Sequence, residues 1–252
     1  SERLYHGFPN APYDESLFEQ HNVKRGLRNA DGSGVVAGLT RISDVHGYNR
    51  IDGRVVPDEG HLSLRGYSID DLVNHAQAED RFGYEEVAYL LLTGSLPNTE
   101  ELEGFCERLR AFRHLSGDYI HEFPLTTPSK SIMNTLARAV LLLYRFDAEP
   151  DEISPEHEID VAMSMIARLP RIAALAHMAR VAQREGRAPQ IPQPSPDLST
   201  AESVLQVLRG GDDFTHDEAM LLDVMMMLHA EHGGGNNSTF ACRVLSSSAT
   251  DP

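Results

Sequence analysis

The chain has 252 residues, 41% hydrophobic and 24% charged, a composition that excludes a fibrous or disordered protein and is ample for one large domain. Its 38 acidic and 22 basic residues leave a formal net charge of −16. That opposes nonspecific binding to nucleic acid or to an anionic membrane, while a few local donors can still hold a small anion. Cys106 and Cys242 lie far apart and indicate no disulfide framework, and the longest apolar stretches, Val87–Leu92 and Ala139–Tyr144, are far short of a membrane span. With no apolar leader at Ser1–Tyr5, a cytoplasmic protein is expected.

Residues 1–34 are polar and read as an N-terminal arm. Residues 35–67 hold two weakly alternating runs, Leu39–Val45 and Asn49–Val56, broken by Gly47 and by Asp52-Gly53. An Asp-Gly pair between β-prone runs predicts a small hairpin. From Ser68 onward the pattern is helical, and residues 68–252 are expected to be the N-terminal part of a large, incomplete helical domain. Ser68 can cap a helix to about Gln77. Glu85–Thr93 forms another, which Gly94 and Pro97 end. Asn98 opens a third, with Leu102, Phe105, Leu109 and Phe112 on one face. Ser129–Phe146 is a fourth.

Ser154-Pro155 starts a helix to Leu169, Pro170 predicts a break or kink, and Ile172–Gln183 resumes. Ala188–Pro196 holds four prolines in nine residues and is expected to be irregular. Ser199–Glu202 and Thr215–Glu218 are capping boxes. The second opens an apolar helix through Leu228 in which Met225–Met227 fill core. With no βαβ alternation, the fold class is all-α, with a small N-terminal β-hairpin.

One stretch is unlike the rest: His229-Ala230-Glu231-His232-Gly233-Gly234-Gly235-Asn236-Asn237-Ser238-Thr239-Phe240. An apolar helix delivers two histidines, three glycines interrupt it, and Asn, Ser and Thr suit the start of a new helix to about Ser248. A helix start at Asn236–Asn237 offers unpaired N–H groups and a positive dipole end, and His232 can donate to the same anion. A metal site is the rival reading. The spacing is shorter than zinc-protease patterns and no third ligand is evident, so no metal is expected. His229 is read as a hydrogen-bonded core histidine in a supporting role.

This string resembles the signature of citrate synthases. Three earlier stretches resemble the same family in the same order: Gly38–Val45, then Leu64–Leu72 with its Arg65-Gly66-Tyr67, and then Phe82–Pro97. Glu231 stands where the family usually has Asp, and Gly233 where many members have Glu. The resemblance implies condensation of acetyl-CoA with oxaloacetate to citrate and CoA. In it a carboxylate base deprotonates the thioester methyl, a histidine stabilises the enol, and the enol carbon attacks the ketone. It implies that His232 and Asn236 bind oxaloacetate or citrate. It implies no cofactor, with the coenzyme A thioester as substrate, and a homodimer. It also implies that the catalytic acid, base and arginines lie beyond Pro252, so that this chain alone is inactive. The alternatives are a 2-methylcitrate synthase using propionyl-CoA, and a non-catalytic helical oligomerisation subunit.

Overall fold

The computed structural model describes residues 15–21, 24, 26–29, 33–35, 40–122, 129–192, 195–231, 233 and 237–248. They are largely helical, with one small three-stranded sheet, as the sequence pattern implies. In chain order the elements are α1 (Glu15–Gln20), β1 (Ser43–Ile51), β2 (Arg54–Leu64), β3 (Tyr67–Ser68), α2 (Ile69–Ala78), α3 (Tyr84–Thr93) and α4 (Thr99–Phe112). There follow α5 (Gly117–Glu122), α6 (Ile132–Leu143) with a 3₁₀ turn at Tyr144–Phe146, α7 (Pro155–Glu185), α8 (Thr200–Arg209), α9 (His216–His229) and α10 (Asn237–Ser246).

Two compact units are formed. The described parts of Ser1–Leu39 and Gly234–Val244 make the smaller, and those of Thr40–Gly233 with Leu245–Pro252 the larger. In the smaller unit, Arg28 and Gly34 form an isolated antiparallel bridge, and the Arg243 guanidinium stacks over the Phe240 ring within α10.

In the larger unit the hairpin forms where Asp-Gly predicts it. β1 and β2 are antiparallel from Ser43↔Leu64 to Ile51↔Arg54. Asp52 (φ 50°) and Gly53 (φ 76°) make the two-residue turn, whose left-handed residues match the twist of the strands. Gly47 does not break the strand; the register shifts between His46 and Tyr48, where Asp58, Glu59 and Gly60 of β2 stand opposite Gly47 alone, so the bulge lies on β2. A second left-handed pair, Arg65 (φ 50°) and Gly66 (φ 91°), folds β3 back onto β2.

Three cores organise the helices. Leu64, Ile69, Leu72, Val87, Leu90 and Met227 join β2, α2, α3 and α9. Ala88, Phe105, Leu109, Met163 and Ala167 join α3, α4 and α7. Leu115, Tyr119, Ala139, Ile172, Leu175 and Val207, among others, join α5–α8. Both predicted capping boxes are present, Ser199 with Glu202 and Thr215 with Glu218, and Asn98 with Glu101 makes a third.

Two expectations are corrected. Pro170 does not interrupt the chain: α7 runs unbroken from Pro155 to Glu185. The bond Pro170 cannot donate is offset by burial of the residues around it, Met163, Ala167, Ile172, Leu175 and Ala179. Met225–Met227 are not all core: Met227 is fully buried, while Met225 is 49% exposed.

Candidate functional site

The distinctive string begins at the end of α9, so the site is built from what fixes that helix. Met227 anchors it in the core shared with β2, α2 and α3. Four residues earlier, and so on the same face, Asp223 is 1% exposed. Its carboxylate accepts hydrogen bonds from the backbone N–H groups of Gly83 (2.7 Å) and Tyr84 (3.2 Å). Gly83 is the N-cap of α3 and makes no side-chain cap of its own, so α9 supplies the cap from elsewhere in the fold. Burial pushes the Asp223 carboxyl up to about 6, with Glu85 adding repulsion, against the two N–H bonds and Arg81. Burial, followed by Glu85 and Asp223, pushes the Tyr84 hydroxyl up to about 12.

α3 is tied at its other end by Arg65, whose Nε and Nη2 both donate to the Leu91 carbonyl, at 3.2 and 2.6 Å. Further along, Glu85 accepts from the Thr200 N–H at 2.7 Å and caps α8 from outside. Arg113, buried to 3%, donates to the Leu198 carbonyl at 2.6 Å. Arg171 donates to the Pro192 carbonyl at 2.6 Å. Arg171 thus ties down a described part of the proline-rich crossing, and Arg113 holds the residue just before the Ser199 cap that follows it.

At the tip of α9, His229 is exposed and its Nδ1 lies 2.7 Å from the Met225 carbonyl. As donor, Nδ1 leaves Nε2 the basic nitrogen. His229 is therefore hydrogen-bonded as expected, but at the surface and not in a core. Ala230 follows as C-cap. Glu231 Oε1 then accepts from Ser43 Oγ (3.1 Å) and from the Gly233 N–H (2.6 Å). Gly233 has φ +98°, and a Cβ added there would lie 3.3 Å from Val45 Cγ2. The first glycine after the histidine is thus required both by a left-handed backbone and by a close neighbour. The next helix, α10, begins at Asn237, where the Asn-Asn-Ser-Thr run predicts a start.

Of the residues assigned to the site, His229 is placed as described; His232 and Asn236 lie outside the described residues. Sequence reasoning missed Asp223 and the strand residues Ser43 and Val45. Asp223 carried a signal, a lone acid inside the apolar run Ala219–Leu228; Ser43 carried none. No group of three metal-ligating side chains occurs among the described residues, nor is any helix among them long and apolar enough to cross a membrane.

Residues 29–252 match the family model described as citrate synthase, C-terminal domain. The chain belongs to the citrate synthase family. Its relatives include a citrate synthase from Acidithiobacillus ferridurans, 35% identical over 225 residues, covering 87% of this chain and 52% of that protein. They also include 2-methylcitrate synthase 1 from Corynebacterium glutamicum, 30% identical over 236 residues, covering 91% and 54%. Among solved structures, citrate synthase from Pyrobaculum aerophilum superposes with a TM-score of 0.69 at 26% identity, over 89% of this chain and 54% of that one. Citrate synthase from Thermoplasma acidophilum, solved as a ternary complex with carboxymethyl coenzyme A and oxaloacetate, shares the fold with a TM-score of 0.67 at 24% identity, over 85% and 50%. The chain spans about half the length of the relatives it matches. Citrate synthase relatives are largely helical, in agreement with the ten helices among the described residues.

Proposed function

We propose that this chain supplies the oxaloacetate-holding part of an acyltransferase that condenses an acyl-CoA thioester with oxaloacetate. The observation that carries the reading is the family match, which runs through the string His229–Phe240 at the junction of α9 and α10. His232 is the side-chain donor to the oxaloacetate carboxylate or keto oxygen, Asn236 a second polar contact, and His229 a supporting residue. Coenzyme A enters as the thioester substrate and no other cofactor is required.

The chemistry has two steps. A base takes a proton from the carbon next to the thioester carbonyl, and the resulting enol carbon attacks the oxaloacetate ketone, whose oxygen takes up a proton. Water then cleaves the thioester, releasing CoA. Donors held ready for the oxaloacetate oxygens stabilise the alkoxide that develops in the first step.

Acetyl-CoA is the proposed acyl donor. Propionyl-CoA is the second reading, favoured by the similarity to the 2-methylcitrate synthase of C. glutamicum. A homodimer is also proposed. It is supported by α9, which presents Leu221, Met225 and Leu228 to solvent at spacings of four and three residues while its opposite face packs into the core.

The test of the site is calorimetric titration of this chain with oxaloacetate, followed by the same titration of His232→Ala. Binding that weakens at least tenfold in the variant supports the reading. Absence of binding, or equal binding by the variant, removes it. Thiol release from acetyl-CoA or propionyl-CoA with oxaloacetate, measured on a full-length parent enzyme that carries this chain, decides the acyl donor.

A further inference from the structure

The chain on either side of residue 232 is tied to a strand 188 residues away. Ser43, the first residue of β1, donates through Oγ to Glu231 Oε1 at 3.1 Å, and the same oxygen takes the Gly233 N–H at 2.6 Å. Val45 is two residues along β1 and so on the same side of the strand. It packs against Gly233, with its Cγ2 3.3 Å from where a Cβ would stand. Ser43 is itself paired with Leu64, which is fully buried in the core that also holds Met227 of α9. Strand and helix are therefore fixed in one core, and Glu231 closes the span between them.

We propose that Glu231 is a positioning residue: held by Ser43, it fixes the chain at 231 and 233 and thereby sets the direction from which His232 meets oxaloacetate. The inference rests on the reading of His232 as a substrate ligand. A clamp matters at Gly233, because a glycine backbone that nothing holds samples many conformations. An unclamped His232 would be in its binding orientation for only a fraction of the time, and apparent affinity falls in proportion to that fraction. Neither the Ser43 hydroxyl nor the Gly233 N–H carries a charge, so these two bonds hold the backbone by geometry. The Gln amide oxygen can accept the same two bonds and should replace the carboxylate.

Four proteins test this: the chain as it stands, Ser43→Ala, Glu231→Ala and Glu231→Gln. Each is measured for oxaloacetate affinity by calorimetry, for hydrogen exchange of the Gly233 amide by NMR, and for thermal midpoint. The expected result is weaker oxaloacetate binding by about threefold to tenfold in Ser43→Ala, the effect of losing one hydrogen bond. Glu231→Ala should bind more weakly still, and Glu231→Gln should bind as the parent does. The Gly233 amide should exchange faster in Glu231→Ala and stay protected in Glu231→Gln. Parent-like affinity in Ser43→Ala and Glu231→Ala overturns the inference while leaving His232 as a ligand. Affinities that fall only in step with the thermal midpoint also overturn it, since that is what a purely structural role gives. If the parent chain does not bind oxaloacetate, the reading of His232 fails and this inference with it.

Discussion

Gly83 is a glycine for reasons of space, since its backbone (φ −109°) suits any residue. A Cβ there would stand 2.7 Å from Met227 Sδ, 2.8 Å from Met227 Cε and 3.0 Å from Ala76 Cβ. Met227 is fully buried, so its side chain would have to repack within the core. Gly83→Ala is therefore expected to destabilise by about 1–3 kcal/mol, the usual cost of overfilling a packed core. It would be read as a lower urea midpoint, and an unchanged midpoint would show that Met227 finds another rotamer. The neighbouring Asp223 makes a pH-dependent prediction. Its pKa of about 6 lies above the ordinary 3.8 because burial outweighs the two N–H bonds. Between about pH 4 and pH 6 the folded chain keeps a proton that the unfolded chain has lost, so stability falls as pH rises through that window. The whole effect is about 3 kcal/mol. Asp223→Asn cannot ionise, so the stability of the parent relative to this variant should drop between those pH values. Parallel unfolding profiles for the two proteins would contradict the assignment. The sequence marks Asp223 as unusual but not why: its partners lie 140 and 139 residues away, and only the packing of α9 on α3 brings them together.

At the scale of elements, α3 shows how one short helix is held by others. Its first N–H groups are capped by Asp223 from α9, and its last turn by Arg65 from the turn between β2 and β3. This gives a physical role to the Arg-Gly-Tyr stretch: Gly66 permits the left-handed turn and Arg65 covers the exposed carbonyl end of α3. Arg65→Ala should lower stability by about 1.5–3 kcal/mol, the range for a hydrogen bond to a charged group. Arg65→Lys should recover only part of it, because an ammonium lacks the two-pronged donor geometry. Thermal unfolding of the two variants checks the order; equal losses would mean that charge alone matters. The elements that sequence reasoning found are those whose signals are local. Asp52-Gly53 selects a two-residue hairpin, Ser199 and Thr215 with their glutamates start helices, and Gly94 ends one. Pro170 makes no break because its effect is decided by neighbours, and α1 and α5, at six residues each, are too short for periodicity to declare them. In the site the same division holds. The glycine-broken string after α9 is visible in one dimension, whereas Ser43 and Glu231 are 188 residues apart and meet only after the sheet and α9 share a core.

For the whole molecule, the question is what faces the apolar stripe of α9. Leu221, Met225 and Leu228 are 64%, 49% and 44% exposed, whereas Ala219, Asp223 and Met227 on the other face are buried. A helix that is apolar on both faces signals burial on both, and a second copy of the chain is the proposed cover. Charge works against that pairing, since each copy carries a formal −16. The repulsion between copies is screened over about 8 Å at physiological ionic strength. Apolar contact must supply the attraction, and salt should strengthen the association. The pair Leu221→Glu and Met225→Glu adds two charges to the centre of the stripe without touching the core, because both side chains stand outside it. Sedimentation should then show a dimer for the parent, tighter at higher salt, and a monomer for the double variant, with the same circular dichroism and urea midpoint for each folded unit. A parent chain that stays monomeric at all accessible concentrations would remove the proposed dimer. A double variant that still dimerises would move the interface to another exposed apolar stretch, of which α6, with Met133 72% and Leu141 77% exposed, is the next to change.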